Sequence, residues 1–99
     1  MPASLEQRGD NHFAVQGELN FASVVGLWQE SERLFPNHSN LTIDLTGISR
    51  SDSSGVALLV EWLRLAKQRQ QSVQFSHIPT QMQAIIQVAD LTKLLPAVR

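Results

Sequence analysis

The hydrophobic pattern of this chain changes period repeatedly, and that change limits the fold more than any other feature. Phe13, Val15 and Leu19, around Gln16-Gly17-Glu18, read as a first strand or strand pair. Asn20 is a good helix N-cap, because its side-chain oxygen can accept from a free amide of the first turn. Phe21, Val24, Val25, Trp28 and Phe35 then recur at helical spacing, joined by Leu27 and Leu34, and Pro36-Asn37 ends the helix. Leu41-Thr42-Ile43-Asp44-Leu45-Thr46 alternates apolar with polar, the period of a strand buried on one face, until Gly47 breaks it. A polar loop, Ser49-Arg50-Ser51-Asp52-Ser53-Ser54-Gly55, leads into the clearest helix, Val56 to Gln70. Ser72-Val73-Gln74-Phe75-Ser76 alternates again. Pro79 suits the first turn of a third helix in which Met82, Ile85, Ile86 and Ala89 line up, and Leu91, Leu94 and Leu95 read as a terminal turn against the core. Strand, helix, strand, helix, strand, helix predicts an α/β fold with a mostly parallel sheet covered by helices. The 99 residues make one domain, 1–99, with its core at about 13–95.

Composition removes several function classes. The net charge is -1, so no basic surplus exists to neutralise phosphates, and nucleic-acid binding is not expected. There is no Cys, which excludes disulfides, Cys-ligated zinc and thiol nucleophiles. Met1 to Asp10 is polar and lacks the apolar centre of a signal peptide. The longest apolar run, Val56–Val60, falls far short of the roughly 20 residues that span a bilayer, so no direct membrane insertion is expected and the cytoplasm is the default location. His12, His38 and His77 stand in separate segments, without a second His or carboxylate at helical metal-ligand spacing. They read as exposed or hydrogen-bonded side chains, and no metal or cofactor site is expected. A Ser-His-Asp set can be drawn from Ser53, His77 and Asp44, but a chain this small rarely offers a substrate cleft, and that hydrolase reading ranks last.

Two features remain. Asp52-Ser53-Ser54-Gly55 lies between a strand and the start of a helix. On one reading Ser53 or Ser54 caps that helix, Asp52 favours the positive end of its dipole, and Gly55 frees the junction. On the other, the exposed hydroxyl is a switch: a phosphate there meets free backbone N–H groups and adds about -1.5 to -2 of charge to a docking surface. The two are compatible. The second feature is an excess of apolar surface on the central helix. Val56, Leu59, Val60 and Leu63 form a core stripe, and Leu58, Trp62 and Leu65 an adjacent one, which together widen the apolar arc to roughly 220°, where about 100° suffices. Either neighbouring helices bury the surplus or Trp62 anchors a partner, as interface tryptophans do. Trp28 fits the main stripe of its own helix and reads as core.

These segments also carry a resemblance. Gly17-Glu18-Leu19-Asn20, Leu41-Thr42-Ile43-Asp44-Leu45-Thr46-Gly47-Ile48 and Asp52-Ser53-Ser54-Gly55, in this order and spacing, resemble STAS domains, the domains of anti-sigma-factor antagonists and sulfate-transporter tails. The resemblance implies a small, mostly parallel central sheet with helices packed mainly on one face, and no catalytic activity. In the switching branch it implies phosphorylation of Ser53 by a partner kinase.

Within the family the chain looks most like the short STAS subunit of the Mla phospholipid-transport ABC complex of Gram-negative bacteria. Leu27-Trp28, Ile48-Ser49-Arg50, Ala57-Leu58-Leu59 and Leu65-Ala66-Lys67 carry that likeness, as does an end soon after Leu94-Leu95-Pro96. It implies a cytoplasmic accessory subunit at the inner face of the inner membrane, bound to the ATPase subunit with the permease in the same complex. Such a subunit stabilises or regulates a transporter that maintains outer-membrane lipid asymmetry. The docking face implied is Ser51, Asp52, Ser53 and Ser54 with Leu58, Trp62 and Leu65 of the following helix. Asn20 stands where many members have Asp, Ser53 where the transport branch often has Thr, and Ser51 where an apolar residue is usual. The alternative is an anti-sigma-factor antagonist, partnered by an anti-sigma kinase and switched at Ser53.

Overall fold

Strand β1 (Ser4–Gln7), β2 (His12–Leu19), helix α1 (Phe21–Leu34), a 3-10 turn (Phe35–Asn37), β3 (Asn40–Ser51), α2 (Ser53–Gln68), β4 (Ser72–Ser76), α3 (Thr80–Val88) and β5 (Ala97–Val98) follow one another in the computed structural model, which describes residues 3–91 and 97–98. The strands form one five-stranded sheet in the order β1-β2-β3-β4-β5. β1 runs antiparallel to β2, and the other neighbours pair in parallel. When spatial order equals chain order and the crossovers are right-handed, every crossover helix falls on the same face. The expected α/β class, mostly parallel sheet and one-sided helical layer are therefore all present.

Alternation along the strands follows from that layering. Leu41, Ile43 and Leu45 of β3 are buried beneath the helices, whereas Thr42 and Asp44 between them are half-buried on the open face. Phe13, Val15, Leu19, Val73 and Phe75 complete the inward face. Gly17, at φ 97°, lies among the register shifts where β2 slips against β3. Helices α2 and α3 each stop at a left-handed residue, Gln70 and Asp90. The next amides return to the last turn, from Gln71 N–H to the Ala66 carbonyl at 2.8 Å and from Leu91 N–H to the Ile86 carbonyl at 2.9 Å.

Several boundaries differ from the sequence expectation. β1 lies in the polar N-terminal stretch; as an edge strand it needs no continuous apolar face, and Glu6 and Arg8 make the stretch read as loop. Gly47 does not end β3, because the strand absorbs it in a bulge and continues to Ser51. α2 begins at Ser53, before Val56, since Asp52 rather than a serine supplies its cap. Leu94 and Leu95 lie outside the described residues.

The two tryptophans exchange the roles expected of them. α2 packs against both α1 and α3, so flanking helices bury the surplus stripe. Trp62 is 2% exposed, Leu58 is buried and Leu65 is half-buried. The Trp62 ring meets Phe35 edge-on at 5.3 Å, and Phe35 meets Phe13 at 5.0 Å, an aromatic column running from α2 to the sheet. Its Nε1–H donates to Ser31 Oγ at 2.8 Å, and Ser31 Oγ–H donates to the Trp28 carbonyl at 2.7 Å. Trp62 is thus a core residue and not a surface anchor. Trp28, expected in the core, is 36% exposed, and Phe21 and Val25 on the same side of α1 are more so.

Candidate functional site

The loop Asp52-Ser53-Ser54-Gly55 is fixed from several directions. Asp52 N–H donates to the Leu19 carbonyl at 3.1 Å, which ties the start of α2 to the end of β2. Its side chain accepts from Ser54 N–H at 2.8 Å and so caps α2. The role foreseen for Ser53 or Ser54 belongs to Asp52, and Ser53 is left exposed in the first turn with its hydroxyl uncommitted among the described residues. Ser51, expected in the docking face, is buried instead and donates from Oγ to the Asp52 carbonyl at 2.9 Å.

Gly55 is required here for space. A Cβ at that position would stand 2.1 Å from Ser51 Oγ and 3.0 Å from Leu19 Cβ. Gly55→Ala is expected to destabilise the domain by about 1–3 kcal/mol through overpacking. Denaturant unfolding checks this, and a neutral outcome would mean that Ser51 can rotate away at little cost.

Helix α1 starts beside the same loop. Asn20 caps it as foreseen, accepting from Ser23 N–H at 2.9 Å while Ser23 Oγ accepts from Asn20 N–H at 2.9 Å. The two helix starts therefore sit side by side at the C-terminal ends of β2 and β3. Between the helices lies an apolar groove of about 320 Å³, lined by Phe21, Val24, Val25, Trp28, Ser54, Ala57 and Leu58. On the other side of the loop, Glu18, Arg50, Asp52, Ser53, Gln81 and Ile85 border a second, more enclosed cleft. Ser53 thus stands near two concavities, the second bordered by the charged side chains of Glu18, Arg50 and Asp52.

The remaining candidates do not join this site. His77 Nδ1 lies 3.3 Å from Asp44 Oδ1, but Asp44 is in mid-β3, where it pairs with Ser76, while Ser53 lies beyond the strand's far end. The Ser53-His77-Asp44 arrangement is not assembled. Asp44 also accepts from Thr46 Oγ1–H at 2.6 Å and from Thr46 N–H at 2.9 Å. Its hydrogen bonds, led by the Thr46 hydroxyl, hold its carboxyl below the ordinary range against a partial opposing effect of burial. His12 is exposed, and His38 packs edge-on to Phe13 at 5.4 Å. Among the described residues no group of three His, Cys, Asp or Glu side chains could hold a metal ion, and no helix is long and apolar enough to cross a membrane.

Of the expected docking residues, Asp52, Ser53 and Ser54 come together at the surface, with Leu58 at the floor of the groove. Trp62 and Ser51 are withdrawn into the interior. Phe21, Val25, Trp28, Ala57 and Gln81 were missed. Their signal is the stripe Phe21, Val25, Trp28, at i, i+4 and i+7, which is distinct from the stripe of Val24, Leu27, Ser31 and Leu34. Ser31 interrupts the second stripe, so the two run together into one apolar pattern in which Trp28 reads as core.

A family model described as "Mlab, STAS domain" matches residues 4–96. The unphosphorylated anti-sigma factor antagonist SpoIIAA superposes with a TM-score of 0.70 at 18% identity, over 98% of this chain and 87% of its own. The phosphorylated form of SpoIIAA, described as a Bacillus cell fate determinant, gives 0.70 at 19% identity, over 98% and 91%. An anti-sigma factor antagonist from Mycobacterium paratuberculosis gives 0.72 at 18% identity, over 96% and 82%. No curated protein sequence matches the chain. At these identities the structural likeness speaks to the fold.

Proposed function

The chain belongs to the STAS domain family in its Mlab form, and from that premise we propose that it is a non-enzymatic accessory subunit docking onto the ATPase of a phospholipid-transport ABC complex. STAS domains are regulatory or accessory domains that act through contact with other proteins. The observation that carries the proposal is the exposed apolar side of α1. Phe21, at 81% exposure, Val25 and Trp28 form a stripe that continues through the groove into Ala57 and Leu58 and ends at Ser54, the residue after Ser53. Large aromatics within a contiguous apolar patch, rimmed by polar groups, are the usual anatomy of a protein interface. On this reading the subunit works in the cytoplasm, held to the inner membrane only through its complex, and the ATPase grips the start of both helices.

A second reading has its own support. Ser53 is exposed in the first turn of α2, where backbone N–H groups favour an added phosphate, and one of the similar structures is a phosphorylated form. This supports an anti-sigma-factor antagonist switched at Ser53 by a kinase. A tagged pull-down from the native cell, with co-purifying proteins identified by mass, separates the two. Recovery of an ABC ATPase with its permease supports the transport reading, and recovery of a kinase of the anti-sigma type overturns it.

Both readings place charge at Ser53 inside the contact. Ser53→Asp is expected to weaken binding to the ATPase about tenfold or more, because the new carboxylate must be desolvated beside Asp52. Titration of the variant against the purified ATPase checks this, and an unchanged Kd would remove Ser53 from the interface.

A further inference from the structure

β3 outruns its neighbour. It extends to Ser51, but β4 pairs only with Asn40 to Asp44, so the last turns of β3 have no strand on that side. Ser51 is paired with Leu19 on the β2 side and is 3% exposed, which leaves its amide aimed at the gap and shut off from water. A buried N–H in that position needs an acceptor, since an unmet one costs about 1–3 kcal/mol. The acceptor is a side chain: Gln81 Oε1, in the first turn of α3, receives Ser51 N–H at 2.9 Å. A glutamine thereby does the work of a missing strand.

What hangs from that bond is the docking loop. Ser51 Oγ–H donates onward to the Asp52 carbonyl and packs on Gly55, and Asp52 caps α2 and carries Ser53 next to it. One flank of the loop is moored to β2 through Asp52 N–H and the Leu19 carbonyl, and the other to α3 through Gln81. Gln81 and Ile85 also form the α3 wall of the cleft beside Ser53. We infer that Gln81 is a positioning residue, which holds the Asp52–Ser53 loop in the pose that the partner meets; the partner half of this inference rests on the docking reading above.

The test compares Gln81→Leu, which keeps bulk but removes the acceptor, with Gln81→Glu, which retains a carboxylate acceptor. In the free chain, amide exchange followed by NMR is expected to speed up about tenfold at Ser51 in Gln81→Leu and to return toward the parent rate in Gln81→Glu. Affinity for the ATPase is expected to follow the same order, about tenfold weaker and then restored, and the melting temperature is expected to fall by at least about 4 °C in Gln81→Leu and to stay near the parent value in Gln81→Glu. Unchanged Ser51 exchange in Gln81→Leu overturns the inference, as does faster exchange with undiminished affinity. If the parent chain itself ignores the ATPase, the docking reading fails. The Ser51 exchange rates, measured without any partner, still decide whether Gln81 holds the loop.

Discussion

Trp62→Ala is expected to lower the melting temperature of the free domain by at least about 12 °C. Removing a buried tryptophan costs about 3–5 kcal/mol, from lost burial and from the cavity left behind. Each kcal/mol shifts the transition of a domain this size by about 4–8 °C. The loss is severe because Trp62 ends the aromatic column through Phe35 to Phe13 and receives no compensating water at 2% exposure. Trp62→Phe is milder: a ring still faces Phe35, while the bond from Nε1–H to Ser31 Oγ and the volume of the second ring are lost. That variant is expected to lose about 1–2 kcal/mol. Thermal melting followed by circular dichroism reads both, and a Trp62→Ala protein melting within a few degrees of the parent would put the ring at a surface.

Trp28→Ala is expected to show the opposite balance. Its ring lies at the groove between α1 and α2, with Phe21 and Val25 exposed alongside. Truncation of an interface tryptophan at the centre of a contact costs about 2–4 kcal/mol of binding, roughly thirtyfold or more in Kd. Stability of the free chain is expected to fall less than in Trp62→Ala, by about 1–2 kcal/mol, because Trp28 is 36% exposed before the partner arrives whereas Trp62 is 2% exposed. Titration against the ATPase and melting of the same preparation check the pair of expectations together. Binding that survives Trp28→Ala intact would move the interface off the α1–α2 groove.

These two variants also show where sequence pattern carries information and where it does not. The alternation in Leu41 to Thr46, the cap at Asn20 and the short connections were enough to define the layers, because period and capping are local properties. Which side of an amphipathic helix faces a neighbouring helix is not local. α2 carries a wide apolar arc because it packs against both α1 and α3, whereas among the described residues the main helical neighbour of α1 is α2. Trp28 reads as part of the main stripe of its helix and Trp62 as part of an extra one, and only the order of helices across the sheet reverses their places. Ser31 adds to the ambiguity. It is a polar residue placed in the buried stripe of α1 to serve the indole N–H of Trp62, so the periodicity weakens at the point where the packing is tightest. Of the site, Asp52, Ser53 and Ser54 were legible from their motif. Gln81 was not, because its importance arises from a bond across thirty residues of chain.

The sequential strand order has a consequence for how the molecule comes into being. Each new strand can join the one made just before it, so every loop closure spans only one strand–helix unit and entropy opposes assembly only weakly. Growth from the amino end can build β1 through α2 while later residues are still being added. The brace from α3 is the exception, since Gln81 is made well after the loop it secures. A nascent chain can therefore pair β1 to β4 before α3 is made, and the brace on the Asp52–Ser53 loop arrives only with α3, the helix that also brings Met82 and Ile86 into the core.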